Sequence, residues 1–372
     1  MSSFSSTWRQ PFQLAMVFNM FIVLPCFRPA SARAQNPPKM NVPAVFAFGD
    51  SVVDAGNNNY IPITFVKCNF PPYGMNFEGQ KATGRFCDGR LPTDFIVEKL
   101  GIKKSLPAYL DDSLQDEDLV TGVSFASSGS GYDHMTSSIV LTRSLDDQLN
   151  WFKEYRGKLK AIVGAEKADF IVNNSIFFVV AGTCDLANTY FTFPFRRLFQ
   201  DVDSYTDIML DGATSFLKNL YDMGARTIAI SSVPPLGYVP SQRTLGGGPT
   251  RRRPESYNEA AQIFNLKLFS RLQYLRRTLD KSTLIYMDMY NIFLDIILNH
   301  TQYGFKNIDR GCCGSGLIEA GPLCNPFSLL CDAKFLFWDS FHPTEAAYEL
   351  LSNQILINYF PHLSGASTSP NI

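Results

Sequence analysis

Only four histidines occur in the 372 residues. Any chemistry that needs an imidazole base therefore chooses among His134, His300, His342 and His362. Beyond Phe27 no apolar run is long enough to cross a bilayer, which takes ~20 residues, so a spanning helix is excluded there. Neither sign of charge is in excess: 33 Lys and Arg face 34 Asp and Glu, for a formal net charge of −1. A nucleic-acid partner, which needs a basic face, is not expected. The one basic cluster, Arg251-Arg252-Arg253 after "LGGGPT", reads as a solvated loop. No low-complexity linker or internal repeat divides the chain, which favours one large domain even though the length would allow two.

The start of the chain reads as a leader. Arg9 is the only charge before an apolar run from Phe12 to Phe27, which Asn19 and Pro25 interrupt, and "SARA" ends in small residues at Ala32 and Ala34. A basic start, a short hydrophobic segment and an A-x-A ending predict a secretory signal peptide over residues 1–34, leaving 35–372 as the mature domain. The rival reading, a membrane anchor, is disfavoured by the short and broken run. Losing Arg9, Arg28 and Arg33 with no acid moves the formal charge from −1 to −4. The expectation is an exported, mildly acidic protein with no transmembrane segment.

Export changes how the eight cysteines are read. Cys26 leaves with the leader. Cys312, Cys313, Cys324 and Cys331 crowd "GCCGSGLIEAGPLCNPFSLLC" and predict two bridges stapling a loop. Adjacent cysteines without a neighbouring His fit zinc poorly, so no metal is expected. Cys68 and Cys87 bracket a second loop, and Cys184 is left over. Asn173 and Asn299 head N-x-S/T sequons and are candidate glycan sites in an exported chain.

Five short runs read as buried strands: Ala44–Gly49, Gly122–Ser127, Ser175–Gly182, Thr227–Pro234 and Thr283–Met289. Each is nearly continuous in apolar residues, as when helices cover both faces of a sheet. Helical stripes lie between them, through Leu145, Leu149, Phe152 and Leu159, through Leu210, Ala213 and Leu217, and through Ala261, Phe264 and Leu268. Strands alternating with helices predict right-handed crossovers, a parallel sheet and a three-layer α/β fold. Ligand sites in such sheets form beyond the carboxyl ends of the strands. The turns at those ends carry Ser51, Gly129 and Cys184–Asp185, which topology gathers into one crevice.

Ser51, in "FAFGDSVVDAGNNN", is either a turn residue or a nucleophile. A serine hydroxyl needs a base, and the base needs an orienting acid. His300 lies inside a sequon and His362 in the tail; His134 follows "SGSGYD" and stays a candidate. His342 stands in "FWDSFHPTEAAY", with Asp339 three residues earlier and Pro343 at the start of a helix. The D-x-x-H step lets the carboxylate turn back to Nδ1 and leaves the other ring nitrogen for the serine. The bland alternative is that Asp339 caps a turn.

The blocks "FGDSVVDAGNNN", "GVSFASSGSGYD", "VVAGTCDLANTYF", "PPLGYVPSQRT" and "FWDSFHPTEAAY" together resemble the plant GDSL esterase/lipase family of the SGNH hydrolase superfamily, in its order, from about Val45 to Tyr359. "ANTYF" and "SQRTLGGG" are similar to the extracellular lipase branch of anthers and pollen coats. The resemblance implies a flavodoxin-like three-layer α/β/α fold with a parallel five-stranded sheet. It implies Ser51 as nucleophile, His342 as general base and Asp339 as orienting acid. Gly129 then donates its backbone N–H to the oxyanion beside that of Ser51. No cofactor is implied, and the partner is a small-molecule or lipid ester, with peripheral contact to lipid or cell wall.

Two departures stand out. Where the family has an oxyanion-hole Asn, this chain has Cys184, whose thiol is a weak donor. Relatives also carry a cysteine pair where this chain has Tyr238 and a residue near Arg253, as if a bridge were lost whole. That leaves Cys184 free and six cysteines to pair, with Cys68–Cys87 as one bridge. The leading expectation is a secreted serine esterase acting on lipid or acylated carbohydrate. The alternatives are a non-catalytic binder of acyl chains or polysaccharide, and an acyltransferase using the same serine.

Overall fold

In the computed structural model the described residues are 42–363, so the leader expected over 1–34 and Cys26 lie outside them. Four of the five expected runs form strands: β1 (Val45–Gly49), β2 (Ile176–Val180), β3 (Thr227–Ser231) and β4 (Thr283–Met287). Their β-branched and aromatic residues suit a pleated, two-sided burial. All three pairings are parallel, in the order β1-β2-β3-β4, with Val45 opposite Ile176, Ile176 opposite Thr227 and Thr227 opposite Thr283.

The fifth run is placed where a strand was expected but does not form a full one. Phe125 N donates to Ala47 O (2.7 Å) and Ser127 N to Gly49 O (3.0 Å), which lays the segment along the outer edge of β1. Ser124 faces the other way, donating to Pro107 O and accepting from Tyr109 N, so each neighbour shares only an isolated bridge with it. Counted with this segment, the strand order in chain sequence is 2-1-3-4-5, which is the flavodoxin-like winding.

The helices are α1 (Pro92–Lys99), α2 (Asp116–Thr121), α3 (His134–Ile139), α4 (Leu145–Val163) and α5 (Ala165–Asn174). After them come α6 (Val202–Asp222), α7 (Pro240–Gly246), α8 (Glu255–Thr278), α9 (Met289–Leu298) and α10 (Glu345–Leu363). The expected stripes lie on α4, α6 and α8. Strand residues alternate between two apolar clusters, as a period of two requires. Phe46, Phe48, Phe177, Val179, Ile228 and Ile230 pack with α4, α6 and α8 on one face. Val45, Ala47, Ile176, Phe178 and Ala229 pack with Ile96 of α1 and Ile355 of α10 on the other. The three layers follow from this two-sided packing. Among the described residues no helix is long and apolar enough to cross a membrane.

Among the described residues two disulfides staple the loop that connects the strands of a small parallel pair, β5 (Asn307–Gly311) and β6 (Phe335–Phe337). They join Cys312 to Cys331 and Cys313 to Cys324. The expected Cys68–Cys87 bridge is absent; both are free, buried thiols, as is Cys184. The physical reason is packing. Cys68 lies in a cluster with Tyr73, Phe86 and Trp338, whereas Cys87 packs with Leu91, Phe95 and Tyr348. The Cys87 sulfur is also engaged locally, with Asp88 Oδ1 at 3.2 Å and the Arg90 carbonyl at 3.6 Å.

Candidate active site

The site starts where β1 ends. Gly49 has φ +131, and a Cβ there would sit 1.8 Å from the Val180 carbonyl oxygen, so only glycine lets β1 turn this close to β2. Its backbone is then held by one side chain: Gly49 N donates to Gln148 Oε1 (2.8 Å), and Gln148 Nε2 donates back to Gly49 O (2.9 Å). Asp50 N continues onto Val180 O (2.9 Å). Ser51 emerges at the turn, only 4 % exposed.

The Ser51 hydroxyl meets His342 Nε2 at 2.8 Å, and His342 Nδ1 meets Asp339 Oδ2 at 2.8 Å. Asp339 is fully buried, yet its oxygens are satisfied. Oδ1 accepts from the backbone N–H of Phe341 (2.8 Å) and of His342 (2.7 Å), which closes the D-x-x-H turn. Oδ2 also accepts from the Tyr73 hydroxyl (2.8 Å), which in turn accepts from Gly321 N (2.8 Å). Gly321 belongs to the disulfide-stapled loop, and Cys312 N and Cys313 N pair with Phe337 O and Trp338 O just before Asp339. The staples therefore brace the acid from two sides. The imidazole packs against Phe86 and Phe341, with ring centroids 4.9 and 5.2 Å away. Pro343, expected to start a helix, instead bridges to Phe337, and the helix itself begins at Glu345.

Residues just after Ser51 tie this turn to the segment carrying Gly129. Asp54 accepts from Gly56 N, Asn57 N, Ser128 N and the Ser128 hydroxyl at 2.7–2.9 Å. Asn57 Nδ2 donates to Ser124 O and Ala126 O, and Asn58 Nδ2 to Val66 O and Ser128 O. Ser51, Gly129, Cys184 and His342 consequently line one cleft of about 510 Å³. Burial pushes the Cys184 thiol well above its ordinary value, and the charges of Asp50 and Asp185 push it further the same way. It is therefore a neutral thiol and not a thiolate that would repel a developing oxyanion.

A π-helical segment, Asp185–Thr192, follows Cys184. Asp185 anchors it by accepting from Tyr132 N, Asp133 N and Thr136 Oγ1. The same segment brings half-buried Asn188 to the cleft. The other histidines stay apart: His134 is exposed, with Ser138 of its own helix as the partner of its ring, and neither it, His300 nor His362 lines the cleft. The arginine cluster is not a free basic patch, because Arg251 donates to Thr244 Oγ1, Pro240 O and Asp309 O, and Arg253 pairs with Glu255.

Sequence reasoning gathers Ser51, Gly129 and Cys184–Asp185 at one crevice and sets His342 and Asp339 on Ser51; Ser51, Gly129, Cys184 and His342 line the cleft, with Asp339 buried behind His342 and Asp185 off the cleft wall. It passed over Tyr73, Gln148, Asn188 and the bracing role of Asp54, Asn57 and Asn58. The last three had a signal: "DAGNN" is dense in side chains that bond backbone. Tyr73 and Gln148 sit far along the chain from their partners and had none.

Asp50 generates a pH prediction. Its Oδ2 is buried without a hydrogen-bond partner, and burial pushes its carboxyl up to about 7. An unfolded Asp releases its proton near pH ~3.9, so between about pH 4 and 7 the folded state binds the extra proton and stability falls as pH rises. Asp50→Asn mimics the neutral acid. It should raise Tm by a few degrees at pH 8, at most on the order of 4 kcal/mol, and change it little at pH 4. Thermal unfolding at the two pH values checks this; an equal shift at both contradicts it.

The model of the "GDSL-like Lipase/Acylhydrolase" family matches residues 45–355. The chain is 53 % identical to the GDSL esterase/lipase EXL3 of Arabidopsis thaliana over 327 residues, covering 87 % of this chain and 89 % of that one. It is 46 % identical to EXL2 of the same plant over 355 residues, covering 91 % and 94 %. Among solved structures, a mutant of the acetylxylan esterase Axe2 from Geobacillus stearothermophilus aligns at 12 % identity and a TM-score of 0.35, covering 85 % of this chain and 93 % of that one, too distant to bear on substrate. The protein belongs to the GDSL-like lipase/acylhydrolase family and, as a member of it, is a carboxylic-ester hydrolase.

Proposed function

We propose that the protein is a secreted serine esterase that cleaves carboxylic esters, with lipid esters as the substrate class, through an acyl-enzyme on Ser51. The observation that carries this reading is the unbroken chain Ser51 Oγ–His342–Asp339, each link at 2.8 Å and buried. The Ser51 oxygen attacks the ester carbonyl carbon while His342 Nε2 takes its proton. Asp339, already accepting at Nδ1, stabilises the imidazolium. The carbonyl oxygen becomes negative and is met by the N–H groups of Ser51 and Gly129. The C–O bond to the alcohol then breaks, and His342 returns the proton to the leaving oxygen. Water, deprotonated by the same imidazole, attacks the acyl-enzyme and releases the acid.

Residues 1–34 act as the export leader and 35–372 as a single catalytic domain in this reading. Support for export comes from the two bridges and the N-terminal pattern. Asn173, exposed at the end of α5, is the more accessible glycan site; Asn299 is half-buried and its amide donates to Asp295.

A fluorophosphonate probe tests the nucleophile. It should label the wild-type protein, fail on folded Ser51→Ala, label His342→Ala at least 100-fold more slowly, and label His134→Ala normally; serine and base act as one unit. Labelling that survives in Ser51→Ala removes the assignment. The third donor of the oxyanion hole gives a second prediction. A full donor is worth roughly 2.7–4 kcal/mol in a transition state, and a thiol supplies little of it. Cys184→Asn should raise kcat on a short-chain ester by about 10-fold or more with KM nearly constant. A fall in kcat would mean that position 184 does not face the oxyanion.

A further inference from the structure

A second cavity, of about 80 Å³, shares His342 and Phe341 with the catalytic cleft. It lies beyond the ends of the middle strands. Val52 follows Ser51, Val180 ends β2, Thr183 precedes Cys184 and Ser231 ends β3, and all four are on its wall. Met289 and Phe293 of α9 and Leu351 of α10 contribute further wall. No wall residue is exposed, and apart from His342 none is ionisable other than Tyr348. The Ser231 hydroxyl is already given to Ser232 O. Apart from His342, none of this wall is used by the steps described above.

We propose that this cavity holds the acyl chain of the ester, so that the enzyme selects unsubstituted aliphatic acyl groups by length. The proposal rests on the Ser51 acyl-enzyme reading and deepens it. Two arguments assign the occupant. The first is timing. The alcohol must leave and water must enter before the second half of the reaction, whereas the acyl group stays tethered to Ser51. A cavity with no exposed residue on its wall suits the group that stays. The departing alcohol suits the larger cleft, whose border includes the exposed side chains of Phe65 and Leu323. The second argument is polarity. A sugar or polyol hydroxyl carried into a wall of aliphatic and aromatic side chains would lose its water partners without replacement. A hydrocarbon chain loses none and gains by leaving water. Apolar cavities of comparable scale do take apolar guests: an engineered one of ~150 Å³ binds benzene.

Burying one methylene is worth roughly a fourfold gain in affinity. Straight-chain 2-alkanones, neutral isosteres of the ester carbonyl, read this without requiring turnover. Titrated calorimetrically into the Ser51→Ala protein, they should bind roughly fourfold more tightly per added methylene until the cavity is full, and then gain little. Met289, half-buried at the first position of α9, adjusts the space. Met289→Phe should bring the break to a shorter chain and Met289→Ala to a longer one. In the otherwise wild-type enzyme, kcat/KM along a p-nitrophenyl acyl series should break at the same lengths, while an alkyl acetate series should not respond to position 289. Val239→Ile, which adds one methyl group elsewhere on the wall, replaces Met289→Phe if that variant fails to fold. A break that does not move in folded variants, or that moves in the alcohol series instead, overturns the assignment while leaving the esterase reading intact. Conversely, ketone binding that breaks as described in a protein that hydrolyses no ester supports the cavity and overturns the hydrolase.

Discussion

A hydrogen bond between residues 291 positions apart, from Ser51 Oγ to His342 Nε2, is the contact on which the rest of the molecule depends. It joins a turn at the first strand to a turn before the last helix, so the whole sheet must be wound before it can form. Each side is over-determined. The serine turn is held by the Gly49 approach to β2, by Gln148 and by the Asp54–Asn57–Asn58 ties. The histidine turn is held by Asp339, and Asp339 by Tyr73 and the stapled loop. Such support is what a near-attack geometry requires, because a displacement of about 1 Å can cost ~100-fold in rate.

The cost of the arrangement is concentrated in buried acids. Asp50, Asp54, Asp185 and Asp339 all lie within the protein around the cleft. Hydrogen bonds offset part of that cost: Asp54 accepts four, Asp185 three, and Asp339 those of its turn, of Tyr73 and of His342, although burial still pushes the Asp54 carboxyl up and that of Asp185 to about 6. Asp50 keeps one oxygen unpartnered and answers by holding its proton, with a carboxyl pushed up to about 7. That destabilised group adjoins the nucleophile, which fits the general trade of stability for function at reacting sites.

How far the sequence could be read follows from the range of each signal. Strands β1 to β4 and the helical stripes were legible because burial on both faces leaves continuous apolar runs and a 3.6-residue period. Ser51 and the Asp339–His342 step were legible because each is a local pattern at a strand or helix end. The Gly122–Ser127 run has the composition of a strand, but Ser124 divides its pairing between two neighbours, and composition does not carry that. Cys68 and Cys87 illustrate the opposite error: a loop between two cysteines says nothing about which cluster each thiol enters. Tyr73 was beyond reach because its partner is 266 residues away. Asn188 depends on a π-helical turn, which no periodicity announces.

An acyl-enzyme mechanism requires the acyl group to pass to the Ser51 oxygen. Acid-quenching the wild-type enzyme during turnover of a p-nitrophenyl ester, followed by peptide mass mapping, locates that bond directly. The prediction is an acyl adduct confined to the peptide containing Ser51 and formed within the burst of p-nitrophenol. An adduct on Cys184, or steady turnover in which no acylated peptide and no burst appear under conditions where deacylation is slowed, would contradict it.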